Sequence, residues 1–442
     1  MKRTIQAELK SVLESEDRRV ILLEGARQVG KSYLIEQILA EMECRTFSFD
    51  LEKDRLFRRD LDETVSFEDF RTLLKIRHGI QNGDLLFIDE AQESQKLARY
   101  IKSFKEDWPE LRVILTGSSM NRLFDADTRI PVGRIRSFCL FGFSFSEFVE
   151  CIHSRDAAEF VRSMPETVEP SMHKMMLELY DRYLETGGYP ESVLAAKRGD
   201  DFRAVMDEII LTQEDDFSRK EAYDPELFRM SLRAVANHVG SPSKYTHWDT
   251  SKYKARQVIH AMKAWHLLLE TDVHSLNPDR DGFLPKRYLH DTGLINRFRS
   301  VAAPPVSLLE TISPALRTPL GGLFENAVLI NLLNGQSAYE EIGAWKQDAT
   351  SGREVDFVLR KNGNRIPIEC KAALKFKRSH AKNVLAYLRA ARQPLGFIIS
   401  AAPLKQIEID NYRIINLPIY LASRNNIEIL FNEDRILKTE QL

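Results

Sequence analysis

Residues 25–32 read GARQVGKS and follow directly on the apolar run VILLE. Two glycines five positions apart, closed by Lys-Ser, have the form GxxxxGK[ST], the phosphate-binding loop. In such a loop the backbone N–H groups of Gly25, Ala26, Arg27, Gln28, Val29 and Gly30 turn inward around a β-phosphate, and the positive end of the next helix faces the same anion. Lys31 is placed to reach the β- and γ-phosphates, and Ser32 to ligate Mg²⁺. A chance glycine-rich turn is the competing explanation; the position between a predicted strand and a predicted helix argues against it.

Further downstream, LLFIDE closes an apolar run with Asp89 and Glu90. An aspartate there suits Mg²⁺ held through water, and a glutamate suits the base that polarises the attacking water. An acidic strand end facing solvent is the alternative. LTGSSMNR ends the next apolar run, where Ser118 or Ser119 could orient the lytic water or simply cap a helix. TRIPVGRIRSF then offers Arg134, flanked by Arg129 and Arg136. An arginine delivered to the γ-phosphate in cis or from a neighbour strongly assists phosphoryl transfer; a solvated basic turn is the bland reading of the same residues. ATP and Mg²⁺ are the expected cofactors.

These motifs need a scaffold. Residues 18–24, 45–50, 84–90, 111–117 and 135–141 are short apolar runs separated by helix-like stretches such as KSYLIEQILAEM and SQKLARYIKSFKEDW. Such alternation predicts an α/β fold with a mostly parallel sheet covered on both faces. From 151 the periodicity turns helical, with Phe202, Val205, Met206, Ile209 and Ile210 on one stripe. ARQVIHAMKAWHLLLE predicts a further helix, followed by strand-like TDVHSL and FLPKRYLH, the outline of a winged helix. Residues 300–322, rich in proline, read as a connector. Beyond them a helix, LFENAVLINLL, precedes strand-like AYEEIGAWKQ, EVDFVLR and RIPIECKAA, then the helix RSHAKNVLAYLRAA and the strands PLGFIISAA and IINLPIYLAS. The expected domains are therefore 1–150, 151–300 and 301–442.

The chain has 442 residues, 43% apolar and 29% charged, with a net charge of −2. That is an ordinary globular composition with no global polyanion-binding signature, so any nucleic-acid surface must be local. Four cysteines lie far apart without a CxxC pair, which argues against a zinc site or disulfide framework and fits a reducing compartment. The amino-terminal stretch lacks the apolar core of a signal peptide, and no apolar run approaches the ~20 residues that span a bilayer. The expected location is cytoplasmic.

GARQVGKS, LLFIDEAQ, LTGSS and the VGR before a strand together resemble the prokaryotic AAA-type ATPases whose phosphate-binding loop carries an Arg-Gln dipeptide. YLETGGYPE, KRYLHDTGL and FEN…EVDFVL…IPIECKA extend the resemblance over nearly the whole chain. It implies an ASCE-type P-loop core, a helical and winged-helix-like region, and a carboxy-terminal domain similar to PD-(D/E)xK nucleases.

In that last domain Asp356 lies in one predicted strand and Glu369-Cys370-Lys371 in the next. Side chains alternate along a strand, so Glu369 and Lys371 share a face. Asp356, Glu369 and Lys371 converging there could hold Mg²⁺ and activate water for phosphodiester cleavage. By the resemblance, Glu325 on the preceding helix is the acid that completes the set. The alternative is a nuclease fold kept for binding or assembly. Residues 351–390 hold ten Lys/Arg against three Asp/Glu, a local excess that suits a phosphate backbone, or a solvated helix face. SPSKYTHWDTSKYKAR could be a DNA recognition helix, or could only couple nucleotide state to the rest of the chain. The leading expectation is an ATP-hydrolysing homo-oligomer that acts on DNA. A nucleotide-operated switch with an inert nuclease-like domain is the alternative, and a protein-remodelling ATPase a third.

Overall fold

The computed structural model describes residues 2–119, 133–277, 282–313, 317–334, 342–348, 352–361, 363–432 and 439–441. The five amino-terminal apolar runs form β1 (Val20–Glu24), β2 (Thr46–Asp50), β3 (Leu85–Asp89), β4 (Arg112–Gly117) and β5 (Ile135–Cys139). They make one sheet of order β2-β3-β4-β1-β5, parallel throughout. Alternation splits VILLE between two cores. Ile21 and Leu23 pack with Leu34, Ile35 and Ile38 of the helix Lys31–Ala40, whereas Val20 and Leu22 pack with Phe57, Phe70, Ile101 and Phe104 on the other face. Both faces are covered, which is why these strands read as continuous apolar runs. The expected α/β P-loop sheet is present.

Helices then follow one another from Phe145–Ile152 to Lys252–Ala264. The one at Phe202–Glu221 buries Met206, Ile209, Ile210, Gln213 and Phe217. The helix predicted to run to Glu270 instead stops at Ala264. His266 takes a left-handed backbone, φ 55°, and the chain continues as β6 (Leu268–Thr271), paired antiparallel with β8 (Lys286–Leu289). Leucine favours helix by intrinsic propensity, but strand pairing overrides that weak preference. Between these strands β7 (Val273–His274) leaves the pair and joins β9 (Ile342–Lys346) of the carboxy-terminal sheet. Residues 338–341 of the predicted strand AYEEIGAWKQ lie outside the described residues.

The carboxy-terminal sheet adds β10 (Glu354–Lys361), β11 (Asn364–Lys371), β12 (Leu395–Ser400), β13 (Lys405–Ile409), β14 (Tyr412–Pro418) and β15 (Thr439–Gln441). Its order is β15-β13-β14-β12-β11-β10-β9-β7. Antiparallel β10–β11 gives way to parallel β11–β12, with the helix Lys382–Ala391 as crossover. The strand β13 was not foreseen from the sequence. One apolar core joins Leu23 of β1, Leu184 and Phe217 of the helical region, and Phe357 and Ile368 of this sheet.

The helix Thr318–Leu333 begins inside the predicted connector, with Pro319 in its first turn. Its two glycines differ. A Cβ on Gly322 would lie 2.5 Å from the Val239 carbonyl oxygen, whereas one on Gly321 would meet nothing within 4 Å. Gly322→Ala should therefore destabilise the fold by about 1–3 kcal/mol through overpacking. Gly321→Ala should stabilise it by up to about 1 kcal/mol through helix propensity. Chemical denaturation midpoints of the two variants should move in opposite directions.

Candidate active site

The P-loop links β1 to the helix Lys31–Ala40. Gly25 has φ 149°, and a Cβ there would lie 2.2 Å from the Leu140 carbonyl oxygen. Only glycine fits where the loop passes the end of β5. Gly30 has φ 92° and occupies the cap position of the helix, so the helix dipole and its free N–H groups face the loop. Lys31 is buried and folded back, its Nζ donating to the carbonyls of Gly25 and Ala26 at 2.9 Å each. Burial pushes its ammonium below the ordinary lysine value, and the charges of Glu90 and Asp89 oppose that shift.

Ser32 Oγ donates to Asp89 Oδ2 at 2.5 Å. The other oxygen of Asp89 accepts from the Thr116 hydroxyl of β4 and, at 2.9 Å, from the Glu90 backbone N–H. Hydroxyl and carboxylate thus form an oxygen donor pair of the kind Mg²⁺ prefers, and the residues present fit that ion. Glu90 follows on a left-handed backbone, φ 51°, a conformation that costs of order 1 kcal/mol for a non-glycine residue and so needs support from its surroundings. The Gln92 amide donates to its carboxylate. Burial pushes the Glu90 carboxyl up, and the nearby Lys31 ammonium opposes that. Ser118 and Ser119 are both buried at the end of β4, and the Ser119 hydroxyl has no hydrogen-bond partner among the described residues.

Arg134 lies elsewhere. It directly precedes β5, which pairs with β1 from Val20–Ile135 to Glu24–Cys139. The P-loop leaves the carboxyl end of β1, so Arg134 stands at the opposite edge, roughly 16 Å of strand away. There it binds Glu106 Oε1 through Nη2 at 2.8 Å. Arg129 lies outside the described residues.

Three contacts around the loop were missed from the sequence. Arg3 is buried, donates to the carbonyls of Val29 (2.9 Å), Phe141 (2.7 Å) and Gly142 (3.0 Å), and pairs with Glu147 at 3.1 Å. His266 Nε2 lies 3.1 Å from the Glu24 carboxylate, and its Nδ1 lies 3.7 Å from Cys139 Sγ. Burial pulls this imidazole down, but Cys139 and Glu24 outweigh it and hold it up at about 10. Arg27 pairs with Asp216 of the helix Phe202–Glu221. Apart from Arg3–Val29, each contact joins residues more than a hundred positions apart, and no local pattern announces it.

The carboxy-terminal acids do converge, but around an ammonium. Lys286 of β8, with a side chain 2% exposed, sets its Nζ 3.1 Å from Glu325, 2.5 Å from Glu354 and 3.3 Å from Asp356. Tyr288, two residues along the same strand, donates to Glu325 Oε1 at 2.6 Å. Asp356 Oδ2 accepts from the Cys370 N–H at 2.8 Å. Glu369 Oε1 accepts from Lys371 Nζ at 2.6 Å and from Asn383 at 3.1 Å, while its other oxygen is buried without a hydrogen-bond partner. Burial raises Glu325 to about 7 and Glu369 to about 8. Among the described residues no group of three or more His, Cys, Asp or Glu is placed to hold a metal ion. The acids expected to form a Mg²⁺ set are thus divided between two lysines: Lys286 pairs with Glu325 and Asp356, and Lys371 with Glu369. KRYLHDTGL, which contains Lys286, was noticed only as a family match. A lone lysine in a strand gives no sign of burial.

Lys286→Met would leave the acids without their cation, an arrangement that typically costs about 3–5 kcal/mol. In that variant the folded Glu325 carboxyl, already raised to about 7, loses the lysine that lowers it. The folded state then binds more protons than the unfolded one, so stability falls as pH rises above the unfolded value. The deficit in thermal unfolding should be largest near pH 8 and shrink toward pH 5. Glu325→Gln in the same background should recover part of it.

Residues 17–149 match the family model of an AAA domain. Residues 177–304 and 320–420 match two models described as domains of unknown function. An uncharacterized protein of Methanocaldococcus jannaschii is 25% identical over 177 residues, 40% of this chain and 36% of that protein; the match thus spans about a third of the relative's length. The Walker-type ATPase of Pyrococcus abyssi is 16% identical, over 66% of this chain and 94% of the other, with a TM-score of 0.43. A Thermotoga maritima structure described as the RuvB Holliday junction branch migration motor is 15% identical, over 46% and 83% of the two chains, with a TM-score of 0.24.

Proposed function

With an AAA-type P-loop ATPase domain as its engine, we propose that this chain is a Mg²⁺-dependent ATP-hydrolysing switch that works on DNA through a carboxy-terminal domain that does not cut it. The observation that carries the ATPase reading is the 2.5 Å bond from Ser32 to Asp89 with Glu90 immediately beside it. Bound Mg²⁺ supplies positive charge to the phosphate oxygens. Ser32 and Asp89 would hold it. Lys31 would leave the Gly25 and Ala26 carbonyls for the β- and γ-phosphates. Glu90, raised by burial, is a stronger base than an ordinary carboxylate and would polarise the attacking water. Ser118 and Ser119, at the end of the intervening strand, suit the position of that water or of the γ-phosphate.

The distance of Arg134 from its own P-loop supports a homo-oligomer in which it serves a neighbour's nucleotide. Lys31→Ala should abolish ATP binding, and Glu90→Gln should keep binding while lowering turnover by at least about a hundredfold. Wild-type hydrolysis by Glu90→Gln would remove it as the base. In mixed oligomers, Lys31→Ala and Arg134→Ala subunits should together recover hydrolysis that neither shows alone.

For the partner, the excess of basic residues over 351–390 supports contact with a phosphate backbone. Lys375, Lys377, Arg378 and Lys382 of that stretch are exposed. The Lys286 ammonium among Glu325, Glu354 and Asp356 favours binding over cleavage. Removing three phosphate contacts together by Lys375→Ala, Lys377→Ala and Arg378→Ala should weaken DNA binding by at least about tenfold and flatten its salt dependence. Plasmid should remain intact with Mg²⁺ or Mn²⁺. Nicking that is lost in Asp356→Ala would restore the nuclease reading.

A further inference from the structure

Arg27 is the third residue of the P-loop, yet it does not point to solvent. Its side chain is 15% exposed, and its Nη1 pairs with Asp216 of the helix Phe202–Glu221, which is 6% exposed. Its Nη2 reaches Glu52 more loosely, at 3.3 Å. Its third nitrogen, Nε, is buried without an acceptor among the described residues, so the guanidinium has unused capacity in a place where burial makes an unmet donor costly. The charge of Arg27 is felt at both the Lys31 ammonium and the Glu90 carboxyl. In the proposed ATP site those two groups would flank the γ-phosphate.

Asp216 is not alone on its helix. One turn later Lys220 pairs with Glu93 at 2.7 Å, and Glu93 ends the turn Ala91–Glu93 that follows Glu90. Positions four apart share a helix face. One face of a single helix therefore holds the P-loop through Asp216 and the segment behind the catalytic base through Lys220. The same helix is tied into the rest of the chain by Gln213 to Tyr189 at 2.5 Å and by Glu221 to Trp265 at 2.8 Å.

We propose that Arg27 is a γ-phosphate ligand held in reserve by Asp216, so that ATP takes the guanidinium from the carboxylate and releases the helix Phe202–Glu221 from the loop. The exchange replaces one anionic partner of Arg27 by another, so neither charge is left bare. Asp216 keeps Arg219, bound at 2.6 Å, when Arg27 leaves it, which avoids the heavy cost of an unpaired buried carboxylate. The planar fork of arginine suits such a swap, because it can bind a carboxylate or a phosphate with two parallel hydrogen bonds. In this scheme Arg27 is a catalytic residue and Asp216 a positioning residue. Helix release converts occupancy by a triphosphate into motion of the helical region.

The inference rests on the P-loop binding ATP, and the two can fail separately. Binding of fluorescent ATP-analogue and ADP to the full chain is measured for wild type and variants. Asp216→Asn should bind a non-hydrolysable ATP analogue about three- to tenfold tighter, with ADP affinity unchanged, since only the γ-phosphate competes for Arg27. Asp216→Glu should restore wild-type discrimination, which a merely structural role would not predict. Arg27→Ala should weaken the ATP analogue but not ADP, lower turnover by about a hundredfold or more, and make Asp216→Asn silent in the double variant. Equal shifts for ATP analogue and ADP in Asp216→Asn, or a persisting shift in the Arg27→Ala background, would overturn the proposal while leaving the P-loop reading intact. Wild-type protein that binds neither nucleotide would overturn both.

Discussion

Asp89 has to act on a loop that begins two strands away. In the order β3-β4-β1 the strand carrying Asp89 and the strand that enters the P-loop are separated by β4, a gap of about 10 Å between backbones. Thr116 of β4 fills it. Its hydroxyl fixes one oxygen of Asp89, leaving the other to reach Ser32. The Ser32–Asp89 pair therefore depends on the parallel register of three strands and on a small polar residue at the middle strand's end. A bulky apolar residue at position 116 would occupy the path and leave Asp89 without that donor. The ends of these strands, with the loops leaving them, form the floor on which Lys31, Glu90, Ser118 and Ser119 are arranged.

Charges buried between distant segments connect this floor to everything after residue 140. Arg3 closes the far side of the P-loop against Glu147. Asp216 holds the loop at Arg27, and Lys220 holds Glu93 in the turn after Glu90. Lys286 joins the short sheet β6–β8 to the acids of β10 and of the helix Thr318–Leu333. Buried ion pairs contribute little net stability, because desolvation offsets most of the attraction, but breaking one partner is expensive. They specify which segments meet, while the continuous apolar core from Leu23 to Ile368 provides the main driving force. A structure built this way can exchange one anion for another at Arg27 without losing its packing.

The Lys286 cluster also separates resemblance from chemistry. Glu325, on the helix Thr318–Leu333, and Asp356, on β10, have the residue types of a metal site, and the fold brings both to Lys286. A cation is already among them, covalently part of the chain and contributed by a different region. An ammonium balances charge as a divalent ion would, but it offers no coordination position at which a water could be activated. Charge balance thus gives those acids a structural role that does not require cleavage.

The sequence by itself determined the parallel sheet, because strands buried on both faces must be apolar throughout and the helices between them periodic. It determined the P-loop and the Asp89-Glu90 pair as well, because phosphate binding needs glycines and a lysine within eight consecutive residues, a purely local requirement. It misplaced the end of the helix at Ala264, where leucines of helical propensity are drawn into β6 by pairing with β8. Only the tertiary structure decided the partners of Arg3, Arg27, His266 and Lys286. A charged side chain looks the same in sequence whether it is solvated or buried, and its fate depends on which opposite charge the chain returns to it from a distant segment. For the same reason Glu325, Asp356, Glu369 and Lys371 could be read in the carboxy-terminal region, but not the second lysine, brought by β8, that pairs with Glu325 and Asp356.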